Sequence, residues 1–135
     1  MVSGFDRERV TGLLADDVYA KGLGIELVEV TADEIAVAMD LTEDHTNFLG
    51  GGHGGVVFSL ADCALSLASN AAGEQAMAID THLVLTAASR PGDRLEARIR
   101  ESSRGRTLGT YRAEVTRSDG RTVALFTGTV FINRA

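Results

Sequence analysis

Asn47-Phe-Leu-Gly-Gly-Gly-His53-Gly54-Gly55-Val-Val-Phe-Ser-Leu-Ala-Asp62-Cys-Ala-Leu-Ser-Leu-Ala-Ser69-Asn70 decides how this chain is read. A glycine-rich loop carrying an Asn and a His runs straight into a strongly apolar segment. Residues 56–68 hold no Gly or Pro and are long enough for a helix. The polar side chains there, Ser59, Asp62, Ser66 and Ser69, are spaced to share one helical face. The rest of the surface is apolar all round, the mark of a helix buried inside a globule. A carboxylate on such a helix is costly unless it is paired, hydrated or used. The glycines at its start leave backbone N–H groups open to close approach by a ligand. A carboxylate together with N–H donors for a developing oxyanion is a kit for acyl transfer.

Outward from this stretch the pattern alternates between helix and strand. Val10, Leu13, Leu14 and Val18 have helical spacing, which predicts a short N-terminal helix over 6–20 ended by Gly22 and Gly24. Ile35, Val37, Met39 and Leu41 alternate strictly and form the second arm of a hairpin turning near Ala32-Asp33. The central helix is expected over about 54–72, ended by Gly73. Four strands follow, over 76–88, 94–102, 107–117 and 122–132, with turns at Arg90-Pro91-Gly92-Asp93 and Asp119-Gly120. No linker or repeat interrupts the chain, so residues 1–135 read as one domain. The order is satisfied by an α+β fold, an antiparallel β-sheet wrapped around a long central α-helix.

Composition narrows the function. The net charge of −6 argues against general nucleic-acid affinity. No apolar run is long enough to span a bilayer, and the N-terminal residues lack the order of a signal peptide. A single cysteine, Cys63, fits a reducing cytoplasm. The charge is unevenly spread. Residues 1–89 hold 3 basic and 14 acidic side chains, and residues 90–135 hold 10 and 5. The basic part is either a local anion site or a solvated Arg-rich sheet edge.

The order Asn47-x-x-Gly50-x-x-His53-Gly54-Gly55, followed by Leu60-Ala61-Asp62, resembles the hotdog-fold acyl-CoA thioesterases of the phenylacetic acid degradation PaaI subfamily. Ala20-Lys21-Gly22-Leu23-Gly24-Ile25, Arg90-Pro91-Gly92-Asp93 and Thr122-Val123-Ala124-Leu125-Phe126 extend the likeness over nearly the whole chain. The resemblance implies a hotdog fold and hydrolysis of an aryl-acyl thioester such as (hydroxy)phenylacetyl-CoA in phenylacetate catabolism. Coenzyme A is then part of the substrate, and no cofactor is implied. Thr86-Ala87-Ala88 stands where members often carry an Arg-Pro pair. Ala78 stands nearest the position where some members place a hydroxyl that holds the attacking water. Three other functions fit less well: a broad or medium-chain acyl-CoA thioesterase, a non-catalytic acyl-CoA-binding module, and a dehydratase. A binder needs no buried carboxylate, and no strand-end Asp/His pair suits a dehydratase.

Each candidate residue has a structural reading beside its functional one. Asp62 is a general base or a nucleophile, or else a buried Asp bonded to Ser59, Ser66 or backbone. Gly54 and Gly55 supply oxyanion N–H groups, or form a close-packed turn. His53 donates toward the carbonyl or holds the loop, and Asn47 donates to the same oxygen or forms an Asx-turn. Arg104 and Arg106, with Arg90, are candidates for the coenzyme A phosphates, or are solvated turn residues. Cys63 reads as a small buried side chain rather than a nucleophile. His45, His53, Asp62 and His82 lack any metal-motif spacing, so no metal is expected. Gly54 and Asp62 are eight residues apart, a rise of about 12 Å if both lie on one helix. One reacting atom cannot touch both. The expectation is an obligate homodimer with active sites across its interface, packed into a homotetramer.

Overall fold

The computed structural model describes residues 4–134; residues 1–3 and 135 of the expected domain lie outside the described residues. The elements are α1 (Arg7–Ala15), α2 (Val18–Leu23), β1 (Glu26–Val30), β2 (Ile35–Asp40), a 3-10 turn (Glu43–His45), α3 (Gly54–Asn70), β3 (Gln75–Leu85), β4 (Arg94–Arg104), β5 (Leu108–Arg117) and β6 (Thr122–Asn133). All six strands pair antiparallel in one sheet, ordered β1-β2-β4-β5-β6-β3. This is the expected sheet wrapped around a central helix. Among the described residues no helix is long and apolar enough to cross a membrane.

Period-two alternation sets which side chains meet α3. Leu95, Ala97 and Ile99 of β4, Tyr111 and Val115 of β5, and Phe126, Val130 and Ile132 of β6 are buried on the helix side. They close on Leu60, Ala61, Ala64, Leu65 and Ala68 of α3 in one core. Phe58 meets Phe126 edge to face at 5.9 Å. Each fully buried large side chain stabilises by about 1.5–3 kcal/mol, so this layer dominates the fold's energetics.

Both expected helices differ in their bounds, and the strand expected over 76–88 ends at Leu85. The N-terminal helix over 6–20 is instead two helices broken at Asp16-Asp17. Asp17 leaves the helical conformation (ψ 98°), and its carboxylate accepts the Ala20 N–H at 2.9 Å, capping a new helix. Gly24, at φ 74°, ends that second helix, while Gly22 lies within it. The central helix stops at Asn70 rather than about 72. The Asn70 amide accepts the Ala76 N–H at 2.9 Å and donates to the Ala76 carbonyl at 3.0 Å, drawing the chain into β3.

Helix α3 runs antiparallel to β3. Its last residue binds Ala76, and at its first residue an added Cβ on Gly54 would lie 3.0 Å from Leu85 Cδ1. Close approach also matters at Gly128 of β6, where a Cβ would lie 2.7 Å from Leu65 Cδ2 and 3.2 Å from Phe126. Gly128→Ala is expected to overpack this contact and lower stability by about 1–3 kcal/mol, read from the denaturant midpoint. An unchanged midpoint would show that Leu65 moves aside freely.

Candidate active site

The glycine-rich loop is built by its own backbone. The Asn47 side-chain carbonyl accepts the Leu49 N–H at 2.9 Å and the Gly51 N–H at 3.2 Å. Asn47 N–H donates to Gly51 O at 2.8 Å, and Gly50 turns at φ 85°. The Asx-turn reading of Asn47 is therefore realised, and its amide Nδ2 has no partner among the described residues. The loop is fastened to the segment after β3. Gly52 N–H donates to Ser89 O at 2.7 Å, and a Cβ on Gly52 would lie 2.3 Å from Ser89 Oγ. Buried Ser89 was invisible to the sequence reading, because nothing in its local pattern marks it as the loop's anchor.

His53 is the N-cap of α3. Its Nδ1 accepts the Gly55 N–H at 2.8 Å, so in the neutral ring the proton lies on Nε2. The ring folds over Gly55, where a Cβ would meet Nδ1 at 3.0 Å. This corrects the assignment of Gly55 as an oxyanion donor, since its N–H is already engaged. The Gly54 N–H has no partner among the described residues. It sits at the positive end of a 17-residue helix, open to an oxyanion.

Asp62 is half-buried on α3 and has no hydrogen-bond or ion-pair partner among the described residues. Ser59 does not bind it: its hydroxyl donates to Gly55 O at 2.8 Å and meets Tyr19 Oη at 3.0 Å. Burial, and then the charge of Asp17, push the Asp62 carboxyl above the usual carboxylate range. An unpaired carboxyl with raised basicity suits a general base or a nucleophile. Cys63 next to it is buried, and its thiol is pushed up to about 12 by burial first. It is protonated at neutral pH and is no nucleophile.

Thr81 was missed by strict alternation. Counting by twos from Ala78 would turn Thr81 outward. A bulge between Ala78 and Asp80 shifts the register, so Thr81 pairs with Gly128 and faces α3. Along β3, about 12 Å from Leu85 is between three and four residues at roughly 3.3 Å each. Thr81 thus lies about as far along β3 from Leu85 as Asp62 lies along α3 from Gly54, and its hydroxyl has no partner among the described residues. No signal in the sequence marks a bulge with no Gly or Pro in it.

The arginine assignments divide. Arg104 is engaged in the fold: it donates to Tyr111 Oη at 2.7 Å, Ser69 O at 3.2 Å and Glu74 at 3.1 Å. Its guanidinium is thereby committed to the Ser69 end of α3. That corrects the assignment of Arg104 to coenzyme A phosphates. The exposed Arg106 shares this distant turn. Arg90 stays near the loop, lining a cleft of about 460 Å³ with Leu49, Gly51 and Ser89. The three histidines are scattered: His45 caps the 3-10 turn, His53 caps α3, and His82 lies on the outer face of β3.

Comparison with known proteins places this site in a family. The sequence profile of the thioesterase superfamily matches residues 42–124, the loop and Asp62 included. A Deinococcus radiodurans protein described as a putative esterase is 44% identical over 83% of this chain and 77% of its own length. The Escherichia coli acyl-coenzyme A thioesterase PaaI is 34% identical over 84% of this chain and 81% of its own. The solved E. coli PaaI structure superposes with a TM-score of 0.89 at 30% identity, covering 93% of this chain and 91% of that one. The chain belongs to the thioesterase superfamily: it is a thioester hydrolase with the hotdog fold, of the PaaI type.

Two measurements separate structure from chemistry here. Arg104→Ala strands the Tyr111 hydroxyl and Ser69 carbonyl, and is expected to cost about 1–3 kcal/mol of stability without raising KM. A raised KM in a stable variant would return Arg104 to the substrate. Asp62 carries the opposite sign. Its folded proton affinity exceeds its unfolded one, so its stabilising share is present at low pH and lost as pH rises through the folded value. Asp62→Asn is therefore expected to melt above the wild type at neutral pH, with the gap closing on acidification. A lower melting temperature would mean that the carboxylate holds the fold together.

Proposed function

We propose that this thioester hydrolase cleaves acyl-CoA, with aryl-acetyl thioesters such as (hydroxy)phenylacetyl-CoA as its substrates in phenylacetate catabolism. Likeness to the E. coli acyl-coenzyme A thioesterase PaaI supports that substrate class. The observation that carries the reading is Asp62, an unpartnered carboxylate on an otherwise apolar helix. As a general base it takes a proton from water while the oxygen attacks the thioester carbon. As a nucleophile it attacks that carbon itself and gives a mixed anhydride that water then opens. Either way the carbonyl electrons gather on oxygen and return as the coenzyme A thiolate leaves. Gly54 N–H, His53 Nε2–H and Asn47 Nδ2 are the donors offered to that oxygen. The Thr81 hydroxyl holds the water. Arg90, beside the loop, takes a phosphate of coenzyme A.

We infer a two-chain site, and the geometry of α3 supports it. Gly54 and Asp62 are the first and ninth residues of one rigid helix. A reacting atom must lie within roughly 3 Å of both groups, and the rise of about 12 Å forbids it within one subunit. A two-fold dimer sets Gly54 of one chain beside Asp62 of the other and gives two equal sites. The sheet edge supports it: β3 has one unpaired backbone edge and exposes Met77, Ile79, Val84 and Leu85. Met77, Phe131 and Leu108, side by side on the outer face, are where two dimers meet in the proposed cytoplasmic homotetramer.

Turnover is expected on aryl-acetyl-CoA esters in a hydrolysis screen, and Asp62→Asn should lose most of it with the fold retained. Turnover on straight-chain esters alone would favour the broader thioesterase. Hydrolysis by neither set in a folded protein would favour a non-catalytic binder. Mixing inactive Asp62→Asn with inactive Gly54→Pro subunits should recover one site per mixed dimer. No recovery from heterodimers shown to form would put each site within one chain.

A further inference from the structure

The break between α1 and α2 puts a second carboxylate, Asp17, at the start of a short helix that packs on α3. Asp17 Oδ1 is held by the Ala20 N–H at 2.9 Å, which fixes it at the start of α2. Helix α2 packs on α3, and Tyr19 Oη meets Ser59 Oγ at 3.0 Å. Ser59 lies one turn before Asp62 on the same face. Helix α2 therefore lies against the Ser59 end of the polar face of α3, and the charge of Asp17 reaches both Asp62 and Cys63. No cation pairs with either carboxylate among the described residues.

Within one subunit, the other groups around Asp62 leave Asp17 as the acting charge. From α2 the titratable neighbours are Asp17 and Tyr19, and on its own helix Cys63, protonated at neutral pH. From α1, Arg9 is occupied at the far end of α3, donating to Asn70 O at 2.9 Å. The strands packed against α3 turn mainly apolar side chains inward; the polar ones are Thr81, Arg104, which donates to Ser69 O at 3.2 Å, and Tyr111. Its hydroxyl is held by Arg104 and Glu101 at the distant turn.

We propose that Asp17 is a positioning residue for the reaction: fixed at the N-cap of α2, its carboxylate repels that of Asp62 and sets the pH range over which the enzyme turns over. The inference rests on Asp62 being the base or nucleophile. Two like charges on facing elements cannot both ionise at their ordinary values, so the later ionisation moves up. The later one here belongs to the more buried carboxyl, Asp62. A more basic carboxylate is a stronger proton acceptor from water, at the cost of activity in acid. The device costs little stability, because Asp17 is already needed as a helix cap.

The cap and the charge can be separated. Asn caps a helix as well as Asp does, so Asp17→Asn removes the charge and leaves the cap. Asp17→Ser does the same should the Asn variant fail to fold. The acid limb of kcat/KM is expected to move toward lower pH in either variant, while staying above the ordinary carboxylate value because burial still raises Asp62. The wild-type limb should move the same way, by less, as salt is raised, because the repulsion is screened. An unmoved limb in a folded, capped variant overturns the role of Asp17. Asp62→Asn is assayed beside it. Loss of turnover there with an unmoved limb in Asp17→Asn rejects Asp17 alone, whereas turnover surviving in Asp62→Asn rejects the reading of Asp62 and this inference with it.

Discussion

Nothing in this chain is stable until α3 is covered. The helix carries Val57, Leu60, Ala61, Ala64, Leu65, Leu67 and Ala68 on sides that together leave little surface for water. A single flat layer would hide one stripe of it, so the sheet must curl, and six antiparallel strands do so with small residues at the tightest contacts. Gly128 lets β6 approach Leu65, and Gly54 lets β3 approach the helix start. The polar face that remains is narrow. The short α2 leans on it, bonded through Tyr19 to Ser59. Asp62 is left there half-buried and with no partner among the described residues, and its raised proton affinity follows from that burial before any charge is considered.

A rigid helix also fixes what one subunit cannot do. Bending α3 enough to bring residue 62 to its own N-terminus would break the core that the helix exists to fill. In the proposed site the oxyanion donors at the helix start and the carboxylate near its middle are complementary halves, displayed on one rod at a set separation. The loop that delivers the first half is equally constrained. Asn47 closes it from within, Ser89 ties it to the sheet, and His53 spends one ring nitrogen on the Gly55 N–H. That bond gives up one oxyanion donor and in exchange fixes which face of the imidazole carries a proton.

Periodicity exposed the architecture, and chemistry at a spacing singled out the candidate site, but both stop where contacts are non-local. The helix, the hairpins and the strand order in sequence follow from alternation and from turns such as Asp119-Gly120. The break at Asp17 was missed because Val10, Leu13, Leu14 and Val18 keep helical spacing across it, while the capping bond that causes it is a side-chain choice. Thr81 was missed because a bulge resets the parity of β3. The basic C-terminal part misled most. Arg94 pairs with Glu26 and Asp40, Arg98 with Glu29, Glu34 and Glu96, and Arg100 with Glu34. Those acids come mainly from β1 and β2, far away in sequence and adjacent in the sheet. Charge that is segregated along the chain is interleaved by the topology, so it signals strand order rather than an anion partner.

Strand β3 shows how the fold and the chemistry depend on the same element. It is a long edge strand, eleven residues with Met77, Ile79, Val84 and Leu85 in solvent. An edge of this length and polarity is an aggregation hazard unless something covers it. Natural edges are often blunted by bulges or charges, and β3 has both: a bulge after Ala78, with Asp80 and His82 on its outer face. The bulge limits which strand can pair along the edge, and the same bulge turns Thr81 inward toward α3. Straightening it would therefore do two things at once. It would lengthen the regular edge available for pairing, and it would rotate Thr81 away from α3. A single irregularity thus couples how the edge is covered to what faces the helix that carries Asp62.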